Sequence, residues 1–222
     1  ANTGTGTGAG AGAGALSATP RKVYAWAADA GAWRPLLVPH VIADAAGRPA
    51  LGDVRVATWN VFHDADNTAL LNDGVRRGAV VAHIAALAAR SDVLVLTEMT
   101  DALLAALLQQ DWLRADFFIS DVPQDALAAG TTGTASTAVA QSFVLVAARR
   151  AFRHLSLAHS ASKRSVLAVF PEPDGVCARL VVAGVHLTSN FRASAQDTVA
   201  VRVRQLSALA AALAAEECPA AI

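Results

Sequence analysis

Three apolar runs in this chain each close on a polar side chain, and that repetition constrains the fold more than any other feature. Val54–Val61 (Val-Arg-Val-Ala-Thr-Trp-Asn-Val) ends by presenting the amide of Asn60. Asp92–Met99 (Asp-Val-Leu-Val-Leu-Thr-Glu-Met) presents the carboxylate of Glu98. Leu180–Leu187 (Leu-Val-Val-Ala-Gly-Val-His-Leu) presents the imidazole of His186. Short runs rich in β-branched residues are predicted as buried strands. One strand with a polar last residue is ordinary, because Asn, Glu and His at such ends usually serve turns or solvent. Three strands carrying amide, carboxylate and imidazole are expected to converge on a shared site.

The elements between these runs set the class. Residues 1–15 alternate Gly with Thr and Ala and read as a flexible, low-complexity linker. Residues 16–50 read as an irregular lead-in packed outside the domain, because Pro20, Pro35, Pro39 and Pro49 interrupt any long element. The domain itself is assigned to 51–222. After the Val54 strand, Val75, Ala79, Val80, Ile84, Leu87 and Ala88 recur at helical spacing, with Arg76, Arg77, His83 and Arg90 off that stripe. Ala102–Trp112 reads as one Ala/Leu helix with Thr100 or Asp101 as its N-cap. Short strands are then predicted at Asp116–Ser120, Ser142–Ala148, Arg153–His159, Ser165–Phe170 and Ala178–Val185. A final amphipathic helix spans Gln196–Glu216, its stripe formed by Val199, Val203, Leu206, Leu209, Ala210 and Leu213. Helices mixed with consecutive strands predict an α+β sandwich of two packed sheets rather than a doubly wound parallel sheet. Neither Gly-x-Gly-x-x-Gly nor Gly-x-x-x-x-Gly-Lys follows a strand, which removes the usual nucleotide-fold signals.

Composition excludes some functions. Eighteen basic residues balance eighteen acidic ones, so no general electrostatic grip on nucleic acid or anionic membrane is indicated, although a local basic face remains open. No uninterrupted apolar run reaches the roughly 20 residues of a spanning helix, so no membrane anchor is expected. Cys177 and Cys218 have no metal-ligand spacing and fit a reducing, intracellular compartment. Oligomeric state is not legible.

Thr58-Trp-Asn60-Val, Asp92-Val-Leu-Val-Leu-Thr-Glu98 and Gly184-Val-His186-Leu-Thr188-Ser189 resemble, in order and spacing, the first motifs of the endonuclease/exonuclease/phosphatase superfamily. That group includes deoxyribonuclease I, abasic-site endonucleases, inositol polyphosphate 5-phosphatases and neutral sphingomyelinases. Lys163-Arg164-Ser-Val-Leu167 and Arg202-Val-Arg-Gln205-Leu206 are similar to features of its 5′ tyrosyl-DNA phosphodiesterase branch. The resemblance covers about Val54 to Glu216. It implies a deoxyribonuclease I-like, four-layer α/β/β/α sandwich, truncated before its C-terminal strands, and a hydrolase of phosphoric esters of the phosphodiesterase or nuclease type. It also implies Mg²⁺ or Mn²⁺ held by Glu98, with Asn60 orienting a phosphate oxygen or water, and His186 and Arg164 gripping the phosphate. Thr188, Ser189 and Asp64 would line the substrate side. Arg202 is expected to fix its helix rather than touch substrate. A nucleic-acid end or RNA is the favoured substrate.

The departures carry expectations too. The family's Gly-Asp-x-Asn and Ser-Asp-His motifs, which supply the water-activating Asp and a closing His, do not occur in this sequence. The 222-residue chain alone is therefore expected to be catalytically crippled, and a binding or scaffolding module keeping the same fold is the competing class. The aromatic the family often places near Ser142–Phe143 is not clearly matched. Arg149, Arg150, Arg153, Lys163, Arg164, Arg192, Arg202 and Arg204 could track a phosphate backbone or be ordinary solvated charges. His63, Asp64 and Asp66 look metal-like, whereas His40, His83, His154 and His159 are expected to be structural.

Overall fold

The computed structural model describes residues 18–36, 53–61, 73–122, 143–159, 164–171, 178–187 and 195–216. They form a mixed α+β arrangement of two sheets and four helices. Strands β1 (Thr19–Arg21), β2 (Tyr24–Ala27) and β3 (Ala32–Pro35) come first, then β4 (Val56–Asn60), α1 (Asp73–Ala88) and β5 (Val93–Met99). Two short helices, α2 (Asp101–Leu108) and α3 (Asp111–Asp116), precede β6 (Phe118–Ile119). Strands β7 (Phe143–Ala148), β8 (Arg153–Ala158), β9 (Arg164–Pro171) and β10 (Ala178–Val185) lead to α4 (Ala195–Glu216). One sheet has the order β1-β8-β9-β10 and the other β3-β2-β6-β7-β5-β4.

The faces follow from period-two alternation in the central strands. In β5, Leu94 and Leu96 join a core with Val80 and Ile84 of α1 and Leu103, Leu104 and Leu107 of α2. Their neighbours Val93 and Val95 join Val144, Val146, Val166, Ala168 and Phe170 in a core between the sheets. Leu167 and Val169 of β9 face the other way, onto Leu209 and Ala212 of α4. Continuous apolar runs therefore mark strands buried on both faces, as β5 and β9 are.

β4 and β5 pair in parallel, Val56 opposite Val93 and Asn60 opposite Thr97, joined by α1. Arg55 pins the start of this pair: its backbone N–H and Nε donate to Asp92 Oδ2 at 2.9 and 3.2 Å. The bonds from Arg55 hold the Asp92 carboxyl below the usual carboxylate range. Arg149 clamps the same end. It donates to Asp116 Oδ2 at 2.6 Å and to the carbonyls of Ser91 and Ala88, and its guanidinium lies over Phe117.

Three expectations are corrected. The irregular lead-in at 16–50 contains three strands in its described part: β1 pairs with β8, and β2 pairs with β3 and β6. This segment thus extends both sheets, through pairings more than 80 residues apart in sequence. Ala102–Trp112 is not one helix. Thr100 caps α2 through the Leu103 N–H at 3.3 Å, but two donors from elsewhere, Trp33 Nε1 and Arg114 Nε, capture the last carbonyl of α2 at Leu108. Gln110 is extended, so the chain restarts as α3.

The third correction concerns α4. Val199, Val203 and Leu206, predicted to face inward, are 60%, 55% and 47% exposed. Leu209 of the predicted stripe is buried and Leu213 packs against the same core, but the other buried positions are Thr198, Gln205 and Ala212, so the buried face is rotated by about one residue. The face that packs on the sheet therefore carries two polar side chains, Thr198 and Gln205, while three large apolar ones stay outside. By length and composition alone, Thr198–Ala215 is also apolar enough to cross a membrane, while its inner face packs on the four-stranded sheet.

Candidate functional site

The C-terminal ends of β4, β5 and β10 meet at one end of the two sheets. β4 and β5 run side by side, so Asn60 lies next to Thr97 and one residue from Glu98. The Val61 N–H donates to the Thr97 carbonyl at 3.0 Å, continuing the pairing past the strand end.

Glu98 does not follow the alternation of its strand. If it did, it would share the helix-facing row of Leu94 and Leu96. Leu96 pairs with Leu145 and Met99 with Phe143, so three steps on β5 oppose two on β7. The extra residue is a β-bulge, and within it Glu98 has a left-handed φ of 57°. Among the described residues it is the only non-glycine with positive φ. Such backbone costs on the order of 1–3 kcal/mol in a residue with a Cβ. The bulge returns Met99 to the helix-side core and turns the Glu98 carboxylate towards the opposing sheet.

His186 follows β10 in that opposing sheet. Leu180 and Val182 point between the sheets, and the same period carries Gly184 and His186 to that side. The His186 Nε2 lies 3.3 Å from Glu98 Oε1, with the side chains 15% and 23% exposed. The pair bridges the two sheets and remains partly wet. Gly184 is what lets the sheets close there. A Cβ at that position would stand 2.6 Å from Val144 Cγ1 and 2.9 Å from Val95 Cγ1, inside any permitted contact.

Arg164 opens β9. Val185 pairs with Ser165, so the antiparallel register carried on by one residue sets Arg164 opposite His186. Arg164 is exposed, and period two places it on the inter-sheet side with Val166. Asn60, Glu98, His186 and Arg164 are thus brought to one end of the sandwich. Thr188, Ser189 and Asp64, with His63 and Asp66, lie outside the described residues, as do Ser142, Lys163 and the 123–137 loop.

Several groups near this end were not singled out from sequence as part of it. The Arg76 guanidinium, on the first turns of α1, donates through Nη2 to the Val61 carbonyl at 2.8 Å. His83 of α1 meets the ring of Trp59 edge-on at 4.7 Å. The His159 Nε2 lies 2.7 Å from the buried Ser165 Oγ, and burial pushes this imidazole below its ordinary value. Deeper between the sheets, His154 is 2% exposed and its Nδ1 lies 3.1 Å from the Lys22 carbonyl. That geometry suits an Nδ1–H donor. Burial lowers this imidazole's pKa, partly offset by Asp121 beside it. Loss of water around the Asp121 carboxyl raises its pKa, opposed by His154, Arg21 and Arg164, although the residue as a whole is exposed. The sequence signal for this second cluster was slight: one His in an alternating strand. Arg149, by contrast, belongs to the clamp at the far end of β5 and not to a phosphate track.

The donor set bears on metal binding. Among the described residues, no three His, Cys, Asp or Glu side chains converge so as to cage an ion. One partly wet carboxylate beside an amide does suit a hard divalent ion that keeps most of its waters, and does not suit a closed zinc site. No family model, curated protein or solved structure matches this chain.

Proposed function

We propose that the Glu98–His186 end of the sandwich is the phosphoric-ester site of a metal-dependent hydrolase with a deoxyribonuclease I-like, four-layer fold. One observation carries this: two sheets meet so that a carboxylate, turned by a strained bulge, stands 3.3 Å from an imidazole of the facing sheet. The order of cores, helices on a sheet, sheet on sheet, then sheet on a helix, supports the four-layer description. A nucleic-acid end or RNA is the proposed substrate class.

Within this proposal Glu98, with Asn60 next to it, would hold Mg²⁺ or Mn²⁺, which supplies charge neutralisation at the phosphate and polarises the attacked phosphorus. His186, whose Nε2 lies 3.3 Å from Glu98 Oε1, would turn its Nε2–H to a non-bridging phosphate oxygen as negative charge grows there, once the carboxylate is engaged by a metal. Arg164 offers a forked pair of donors to the same group from the adjacent strand. Proton removal from the attacking water has no base assigned, because Gly-Asp-x-Asn and Ser-Asp-His do not occur in the 222 residues. The competing class is an ester-binding module that keeps the same fold without turnover.

The test offers 5′-tyrosyl DNA, abasic DNA, poly(A) RNA and inositol phosphates to the chain with and without Mg²⁺, scoring binding and turnover separately. We expect Mg²⁺-dependent binding of a nucleic-acid member, lost in Glu98→Gln and weakened about tenfold in Arg164→Ala. Binding without turnover selects the module, and turnover the enzyme. Binding that is unchanged in Glu98→Gln removes Glu98 from any such site.

A further inference from the structure

We infer that Arg76 is a positioning residue for the site, acting through Val61 on Asn60 and Glu98. The inference rests on the proposed site for its functional meaning, but its geometry stands independently. Among the described residues β4 ends its sheet, with β5 as its strand neighbour. Val56 is 49% exposed, and Thr58 and Asn60 are exposed with it, so the inner face of β4 gains little from packing. An edge strand held on one side frays first at its end, where Asn60 stands.

Val61 counters that fraying. It is 1% exposed, and both its backbone groups are engaged in opposite directions. Its N–H donates to the carbonyl of Thr97, the residue before Glu98, at 3.0 Å. Its carbonyl accepts from Arg76 Nη2 at 2.8 Å. One residue therefore connects α1 to the positions flanking both Asn60 and Glu98. The contact of Trp59 with His83 at 4.7 Å ties the same strand to the same helix about two turns further on. Glu98 is where this matters, since its left-handed backbone persists only if its surroundings hold it. Without Arg76 the buried Val61 carbonyl loses its partner, and the ends of β4 and β5 are free to relax together.

The experiment follows backbone amide exchange and Mn²⁺ affinity in the full chain, comparing the parent with Arg76→Met and Arg76→Lys. In Arg76→Met, exchange at Val61 and Glu98 should quicken about tenfold while the β9–β10 amides are unmoved. Mn²⁺ affinity should fall about tenfold, as for removal of a group that orients a ligand, with a small drop in thermal midpoint from the unpartnered carbonyl. Arg76→Lys, still able to donate to the carbonyl, should recover most of both losses. Unchanged exchange at Val61 overturns the inference, as does uniform quickening across the sheets. Quickened local exchange with undiminished Mn²⁺ binding also overturns it, leaving Arg76 a merely structural tie. If the parent binds no Mn²⁺, the metal-site proposal falls, and the local exchange pattern alone decides for or against Arg76. Should Arg76→Met not fold, Arg76→Gln, polar but too short to reach, takes its place with the same measurements.

Discussion

The two sheets are built to different standards. The six-stranded sheet is covered by α1, α2 and α3, which bury Val80, Ile84, Leu103, Leu104, Leu107 and Leu113 to 6% exposure or less. The four-stranded sheet is covered by α4, which turns Thr198 and Gln205 inward and leaves Val199, Val203 and Leu206 outside. Glu98 and Asn60 come from the first sheet, and His186 and Arg164 from the second. The proposed site therefore joins a firmly held carboxylate to an imidazole on the less completely covered half. What fixes their separation is the closeness of the sheets themselves, set by Gly184.

The largest expected effect tests that closeness. Gly184→Ala places a methyl against Val144 and Val95, side chains on the neighbouring strands β7 and β5 of the other sheet. Overpacking of this kind costs about 1–3 kcal/mol, read as a lowered urea midpoint. The sheets must part, so His186 should also move away from Glu98, and any Mn²⁺- or phosphate-dependent stabilisation should shrink. Gly78→Ala is the comparison. That position lies on the exposed side of α1 with nothing within 4 Å of a new Cβ. The same substitution there should stabilise by about 0.4–1 kcal/mol. Equal effects at the two glycines would show that the sheets do not meet as tightly as described.

A smaller effect reports on the space between the sheets. Burial holds the His154 imidazole below its ordinary value of 6.5 in the folded chain, so the unfolded chain binds the more protons. Its neutral form's contribution is fully present above pH 6.5 and is lost as pH falls from there through the lowered folded value. Urea midpoints measured from about pH 8 to about pH 5 should fall across that window, and His154→Gln should flatten the fall. A slope that survives the substitution would place the titrating group elsewhere, with His159 the next to test, since burial lowers it too.

How much of this was legible depended on whether neighbours along the chain or across the fold made the decision. The strands Val93–Met99 and Phe143–Ala148 were readable because both faces are buried and period two is unbroken over Val93, Leu94, Val95 and Leu96. Glu98, His186 and Asn60 were readable as polar ends of apolar strands, and Arg164 only through the resemblance of its motif. The bulge that turns Glu98 was not, because nothing in Thr-Glu-Met announces a left-handed Glu. That conformation is imposed by the pairing of Met99 with Phe143. Nor was Arg76, which reads as an off-stripe helical charge until Val61 is seen beside it. β1 was hidden for a similar reason: Thr19–Arg21 acquires strand character only through β8, whose residues lie more than 130 positions on.

The smallest effect concerns the outer half of α4, where pattern and structure part. Helical periodicity alone puts Val203 in the sheet-facing core, and its truncation there would cost roughly what buried valines cost, 1 kcal/mol or more. With Val203 55% exposed, Val203→Gln should change stability by no more than about 0.5 kcal/mol in the isolated chain. Leu209→Ala, on the buried stripe, should cost distinctly more, about 2 kcal/mol or above. Denaturation of both variants under one set of conditions decides between two rotations of the same helix about its axis. A large loss in Val203→Gln would restore the apolar stripe to the interior. It would then require Thr198 and Gln205, buried here at 1% and 5%, to turn out to water. Polar groups buried in folded proteins carry hydrogen-bond partners, as Thr198 and Gln205 do, and turning them out would exchange those partners for water while bringing the three apolar side chains inside.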